Sequence, residues 1–163
     1  MLEFEIAVLV PLLCEKSGLN SAILKDKAKK LLRMSFDICP RQICYNYVIS
    51  HGLQSKNQNA LAECLDEIAE FIIKNGIEYS SEKEMRLIAK MADAPSKNVR
   101  ENALKVLGEA YKILDDNIWS VLGDVTTKVR GLLEARFKKI KGGHPANLLS
   151  SSVSVANFQT ARP

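Results

Sequence analysis

The sequence predicts an all-α fold, a solenoid of about four antiparallel helix pairs with right-handed stacking. A nine-residue motif carries this prediction: an apolar residue, a small residue four positions later and a large aliphatic residue four further on. Its copies begin at Leu24, Ala60 and Val99, which are 36 and then 39 residues apart. Glycine and proline are sparse, with 8 and 5 of 163 residues, as expected when most of the chain is helical.

A repeat of roughly 35–45 residues made only of helices is typical of the HEAT and armadillo classes. Each repeat of such an array contacts its neighbours alone, and the stack presents an extended surface. We therefore expect an armadillo-like array of HEAT-type pairs whose role is binding.

The helix order follows from apolar periodicity and from capping signals. Pro40 ends one helix, Gly18 occupies a predicted C-terminal cap, segment 81–84 (Ser-x-x-Glu) forms a capping box, and segment 98–101 (Asn-x-x-Glu) imitates one. The predicted pairs are 2–16 with 22–38, 40–53 with 59–74, 82–92 with 98–113, and 115–123 with 125–141.

The first helix is apolar on two sides. One side carries Leu2, Ile6, Leu9 and Leu13, and the other carries Phe4, Val8 and Leu12. A helix of this kind needs neighbours on both sides. We expect either that the array continues toward the N-terminus or that a protein partner covers this end, at a surface formed by Leu2, Phe4, Ile6 and Leu9.

The predicted array spans residues 1–141. After it, Gly142 and Gly143 are followed by Pro145 and by a serine-rich stretch. This composition predicts that residues 142–163 form a disordered tail.

Catalytic, metal and cofactor signals are weak in this sequence. It has two histidines, His51 and His144, and no phosphate-binding glycine loop, HExxH or GxSxG motif. Its four cysteines lack CxxC spacing, which predicts buried thiols rather than a zinc site. We expect a protein that is not an enzyme and that uses no cofactor.

Charge and hydropathy limit the other classes. The net charge is +4, with basic residues concentrated in segment 25–33 and acidic residues in segment 63–70. A nucleic-acid stripe would be more uniformly basic, so nucleic-acid binding is the least favoured function. The apolar run 2–13 is too short to span a bilayer, and Glu3 and Glu5 interrupt it, so we expect a cytoplasmic location.

The turns inside the pairs are the predicted binding edge. Segments 17–23, 54–59 and 92–98 are short and polar, and stacking of the pairs should bring them to one edge. Lys25 and Arg100 lie in first helical turns, where a cation opposes the helix dipole. Basic residues in this position favour an acidic partner, and we expect Lys25 to be exposed.

Three roles for Arg100 stay open at this point. It can pair with a carboxylate such as Asp93 or Asp66 as part of a structural ladder, it can contact a partner, or it can be solvated.

Several segments of the chain resemble TOG domains, the HEAT arrays of the microtubule-polymerase family of microtubule-associated proteins. The likeness spans roughly residues 8–140 and is greatest to the C-terminal portion of a later TOG domain, which implies that this chain is a truncated TOG domain without the N-terminal repeats. The segments that carry it are 12–18, 52–57, 103–104, 111–119 and 132–138.

The resemblance implies that the turns contact αβ-tubulin and that the protein acts in the cytoplasm on the microtubule cytoskeleton, at spindles or plus ends. The tubulin-contacting residues that it implies are Lys25, Lys56, Asn57, Lys97, Asn98 and Arg100. The alternative function is a HEAT scaffold that binds another protein through its helix faces or its apolar N-terminal helix.

Overall fold

Eight α-helices follow one another along the chain in a computed structural model that describes residues 3–143. Helix α3 continues into a π-helical turn, Val48–Gly52, and a 3-10 turn, Asp115–Asn117, precedes α7. The α-helices are α1 (Glu3–Lys16), α2 (Ala22–Ile38), α3 (Arg41–Tyr47), α4 (Gln58–Asn75), α5 (Glu82–Met91), α6 (Lys97–Leu114), α7 (Ile118–Leu122) and α8 (Thr127–Gly143).

The helices form two layers, and the all-α solenoid of helix pairs is confirmed. Helices α1, α3, α5 and α7 lie in one layer, and α2, α4, α6 and α8 lie in the other. Helix α6 packs between α4 and α8, while α1 packs on α2 and α3, and α5 packs on α6 and α7. The apolar core lies between the layers, and no strand occurs within residues 3–143.

The repeated motif forms the buried side of the second helix in each of the first three pairs. All its positions are buried except the first one of the first copy, Leu24, which is 52% exposed. The corresponding residues Ala60 and Val99 are fully buried. Ala60 is covered by the turn of the preceding pair: a Cβ on Gly18 would lie 2.6 Å from the Ala60 nitrogen. Glycine is therefore required at position 18 by this close approach.

A side-chain cap explains the start of α5, and a glycine with positive φ explains the end of α4. The predicted box at Ser81 and Glu84 is confirmed, because the Ser81 hydroxyl accepts from the Glu84 N–H and the Glu84 carboxylate accepts from the Ser81 N–H. The prediction that Asn98 caps a helix is wrong, because α6 begins at Lys97 after Ser96 and Asn98 therefore lies inside the helix. Gly76 has φ 85° and ends α4 in a conformation that favours glycine.

The last described helix extends past its predicted end at Lys141. Gly142 and Gly143, predicted to break it, form its final residues. Glycine costs a helix only about 1 kcal/mol relative to alanine, so packing of α8 on the core outweighs it. The remainder of the predicted tail, residues 144–163, lies outside the described residues.

Of the two apolar sides of the first helix, one packs against the core and the other is exposed. Ile6 and Leu13 are buried, whereas Phe4 is 79% exposed. The predicted partner surface is therefore wrong at Ile6, which already packs against the core. Leu9 packs partly against it, and Leu2 lies outside the described residues.

The cysteines are buried thiols, as predicted. A hydrogen bond with Cys14 and burial raise the pKa of the Cys64 thiol, and burial raises the pKa of Cys44 to about 12. Within residues 3–143 no cluster of histidine, cysteine and carboxylate side chains has the arrangement of a metal site. None of the helices described has the length and apolarity needed to cross a membrane.

Candidate protein-binding edge

The turns inside the four pairs lie side by side. The turn at Gly18 contacts the start of α4 at Ala60, and the Asn102 amide of α6 donates to the Ala62 carbonyl of α4 at 2.7 Å. Asp93, in the third turn, forms an ion pair with Lys128 at the start of α8. We call these turns, together with the first turn of each helix that follows, the loop edge.

Four of the six predicted site residues are exposed on the loop edge: Lys56, Asn57, Lys97 and Asn98. Lys56 forms no ion pair within residues 3–143. The Lys97 ammonium lies 3.7 Å from Glu101, and its side chain is 76% exposed. The edge thus presents two accessible ammonium groups in consecutive turns.

Asn57 also has a structural role. Its side-chain oxygen accepts from the N–H groups of Asn59 at 3.0 Å and Ala60 at 3.4 Å, so it is the N-terminal cap of α4. A cap of this kind typically contributes about 1 kcal/mol. Its amide nitrogen forms no hydrogen bond within the described part of the chain.

Arg100 takes a role that the sequence did not predict. Its guanidinium donates from Nη1 to the carbonyl oxygens of Ala94 and Pro95, each at 2.8 Å. The predicted pairing of Arg100 with Asp93 or Asp66 does not occur, because both carboxylates form ion pairs with lysines instead. Arg100 therefore fixes the backbone of the third turn.

Lys25 is only half-exposed, and the expectation of an exposed side chain is wrong. It forms an ion pair with Glu63 of α4. It is the first member of a row of alternating charges that joins three helices, which we call the charge seam. The seam consists of Lys25, Lys29 and Arg33 on α2, Glu63, Asp66, Glu67 and Glu70 on α4, and Lys105 on α6.

The seam is tightly hydrogen-bonded. The Lys29 ammonium donates to Asp66 at 2.8 Å and to Glu63 at 2.9 Å. Burial alone would lower the pKa of Lys29, but these two hydrogen bonds raise it well above its usual value. Burial alone would raise the pKa of Asp66, but hydrogen bonds from Lys105 and Lys29 hold it below its usual range.

The seam weakens the case for nucleic-acid binding. The basic cluster on α2 was its main support, and Lys25, Lys29 and Arg33 are committed to carboxylates of the same molecule. Lys27 and Lys30 alone remain exposed in that cluster without an ion pair within residues 3–143.

Two features of this surface were missed from the sequence. Lys128 lies on the loop edge, but the fourth pair does not keep the repeat spacing because α7 has only five residues. The seam had a visible signal, since basic residues recur every four positions in α2 and acidic ones every three or four in α4. Their pairing depends on how far apart the helices lie.

Comparison with family models, with known proteins and with solved structures shows what this chain is similar to. The family model for the XMAP215/Dis1/CLASP TOG domain matches residues 3–129. The Protein MOR1 of Oryza sativa subsp. japonica is 33% identical over 137 residues, which cover 83% of this chain and 7% of that protein.

Two solved structures share the fold. One, from work on TOG-tubulin binding specificity in microtubule dynamics and mitotic spindle formation, has a TM-score of 0.75 and 26% identity over 79% of this chain and 49% of its own. The TOG domain of Zyg9 from C. elegans has a TM-score of 0.74 and 25% identity over 81% of this chain and 50% of its own. The chain thus spans about half the length of these solved chains and a small part of the rice protein.

Proposed function

The chain belongs to the XMAP215/Dis1/CLASP TOG-domain family, and from this premise we propose that its loop edge binds αβ-tubulin. It acts as a non-enzymatic binding module, and Lys56, Asn57, Lys97 and Asn98 are its contact residues. The location that this implies is the microtubule cytoskeleton of the cytoplasm.

The observation that carries the proposal is the pair of accessible ammonium groups on consecutive turns. Lys56 and Lys97 project from neighbouring pairs that α4 and α6 hold together. Basic groups spaced along a rigid edge favour an acidic protein surface and accelerate its association at low salt. Membership in the TOG family supports tubulin as that surface.

The two remaining candidates, Lys25 and Arg100, act from behind the contact surface. Arg100 holds the carbonyl groups of Ala94 and Pro95, and so sets the position of Lys97 and Asn98. Lys25 is anchored by Glu63 and holds the start of α2 against α4. We propose that both are positioning residues for the edge.

A single edge of this size gives modest affinity. Where several such modules are joined in one polypeptide, the second binding event becomes intramolecular and its effective concentration rises. We propose that this chain contributes to microtubule dynamics and spindle formation in that way.

The test is a charge reversal on exposed residues. The Lys56→Glu/Lys97→Glu variant changes the net charge by −4. Within residues 3–143 it removes no hydrogen bond, and the one ion pair that it removes is the exposed pair between Lys97 and Glu101. The matched control is Lys138→Glu/Lys139→Glu, which makes the same charge change on the exposed side of α8. Binding to unpolymerised αβ-tubulin is measured by size-exclusion chromatography and fluorescence anisotropy at low and moderate salt.

We expect the loop-edge variant to bind tubulin at least about tenfold more weakly, while the α8 control changes less than about twofold. The parent chain should also lose affinity as salt rises, because screening weakens exposed charge pairs. Equal losses in the two variants, or no co-elution of the parent at low salt, would contradict the proposal.

A further inference from the structure

The second helices of the first two pairs meet less closely than those of the later pairs. Helix α4 packs directly on α6, whereas the backbones of α2 and α4 lie further apart and long charged side chains span the gap. Arg33 is one cause of this spacing. Ala69 and Gly108 occupy the matching position in α4 and α6, and Gly108 comes close to Ile140 of α8. Where those helices carry small residues, α2 carries a long side chain held by Glu67.

A cavity remains in this gap, at the ends of α2 and α4 that lie opposite to the loop edge. Its volume is about 210 Å³, and helices within residues 3–143 bound it on both sides. Its apolar lining includes Phe36 and Phe71, whose ring centroids are 4.7 Å apart. We call this cavity the α2–α4 cleft. Pockets for drug-sized ligands measure about 300–1,000 Å³, so the cleft suits a single large side chain.

The charges around the cleft leave one cation without a matching carboxylate. The charge seam has four cations and four carboxylates and is neutral. At the exposed rim of the cleft, however, Lys74 and Arg41 share one carboxylate, Asp37. Lys74 donates to Asp37 at 2.7 Å and lowers the pKa of that carboxyl, and the nearby charge of Arg41 lowers it further. Arg41 is exposed and forms no ion pair within residues 3–143.

We propose that the α2–α4 cleft binds a peptide segment of a partner protein in which a large apolar side chain is followed by a carboxylate. The apolar side chain enters between α2 and α4 and packs on Phe36 and Phe71. The carboxylate pairs with Arg41 at the rim. Such a segment matches both properties of the cleft, because its side chain is removed from water and its charge balances the excess cation.

The C-terminal residues of this chain do not supply such a segment. Residues 144–163 contain Leu148, Leu149 and Phe158 but no aspartate or glutamate. Charge complementarity therefore favours an acidic segment from a partner over this part of the chain. The proposal does not rest on tubulin binding, because the cleft and the loop edge lie at opposite ends of α2 and α4.

The test is a titration of the isotope-labelled 163-residue chain with capped dipeptides, followed through the NMR shifts of its backbone amides. The probe is acetyl-Phe-Asp-amide. One control peptide, acetyl-Phe-Asn-amide, lacks the charge, and the other, acetyl-Ala-Asp-amide, lacks the large side chain. We expect saturable shifts at the amides around the cleft with a Kd of about 1 mM, and at least about fivefold weaker binding of each control peptide.

A charge-removing variant tests the role of Arg41. Arg41→Gln should weaken binding of acetyl-Phe-Asp-amide at least about fivefold with helical circular dichroism unchanged. The matched control, Lys138→Gln, removes an exposed charge on α8 and should change the Kd less than about 1.5-fold.

Four results would overturn the proposal. They are the absence of saturable shifts up to about 10 mM peptide, shifts centred outside the cleft, equal affinity for the three peptides, and an Arg41→Gln variant that binds as the parent does. Shifts of the cleft amides on dilution without peptide would identify a second copy of the chain as the occupant, and would also overturn it.

Discussion

Glu67 lies at the centre of the charge seam and is the most deeply buried charged residue within residues 3–143, with 2% of its surface exposed. Its carboxylate accepts two hydrogen bonds from Arg33, at 2.7 Å each, and lies 3.3 Å from the Lys29 ammonium. A buried charge is tolerated only when such partners surround it. Glu67 therefore fixes the register of α2 on α4.

Replacement of Glu67 should destabilise the protein even when the shape is kept. Glu67→Gln leaves Lys29 and Arg33 without their shared carboxylate, and we expect the free energy of unfolding to fall by about 2 kcal/mol. Exposure of Arg33 keeps the loss from being larger. The measurement is urea unfolding followed by circular dichroism. The control is Glu134→Gln, which removes an exposed i,i+4 pair with Arg130 and should cost less than about 0.5 kcal/mol.

Equal stability of the Glu67→Gln protein and the parent would show that the buried carboxylate contributes nothing net. Desolvation would then cancel the attraction to Arg33 and Lys29.

Between elements, glycines decide how closely the turns and helices approach. A Cβ at position 18 would meet backbone atoms of Ala60, which cannot move aside as a flexible side chain would. At Gly131 on α8, no atom lies within 4 Å of an added Cβ. The same substitution should therefore have opposite effects at the two positions.

We expect Gly18→Ala to reduce the free energy of unfolding by about 2 kcal/mol, because the first turn must withdraw from α4. Gly131→Ala should increase it by about 0.5–1 kcal/mol, because alanine is the better helix former. Thermal and urea unfolding of the two variants measure whether each substitution lowers or raises the free energy of unfolding. A neutral Gly18→Ala substitution would show that the turn does not pack this closely on α4.

Across the whole molecule, the charge seam links α2, α4 and α6, whose turns form the loop edge. Its ion pairs couple the protonation of Asp66 to global stability. The pKa of Asp66 is lowered in the folded state by hydrogen bonds from Lys105 and Lys29, so its contribution is present above the unfolded pKa of about 3.9 and is lost as pH falls through the folded value. The pKa of Lys29 is raised, so its contribution is present below about pH 10.4 and is lost at higher pH.

The free energy of unfolding should therefore fall as pH decreases below about 4. The Asp66→Asn variant should be less stable than the parent at pH 7 and should show a shallower decline in acid. Urea unfolding between pH 2.5 and pH 7, about the range over which carboxylates titrate, provides the measurement. Parallel pH profiles for the parent and Asp66→Asn would mean that other carboxylates dominate. Burial raises the pKa of Glu84, so its ionisation lowers the free energy of unfolding, and its protonation in acid opposes the loss that comes from Asp66.

Sequence periodicity predicted the helix pairs well because each helix depends on residues that are close together in the chain. The stripe Ala60, Cys64 and Ile68 follows the helical period, and Ser81 with Glu84 sets a helix start through contacts three residues apart. The first helix was correctly identified as two-sided, although its inner side at Ile6 proved to belong to the core.

The candidate site was predicted in part. Position on a turn was enough to predict that Lys56 and Lys97 lie at the surface, where the exposed Glu101 is the one charged partner of Lys97 within residues 3–143. The same reasoning did not find the intramolecular partners of Lys25 and Arg100, because these are Glu63, 38 residues away, and the carbonyls of a folded turn.

The amino-acid sequence alone determined the fold class, the order of the helices and the edge on which the turns emerge, since apolar period, capping and repeat length are short-range properties. Tertiary structure decided which charges are free. Whether a lysine meets solvent or a carboxylate depends on the spacing of helices that are distant in the chain. That spacing placed Lys25, Lys29 and Arg33 in the seam and left Lys56 and Lys97 available to a partner.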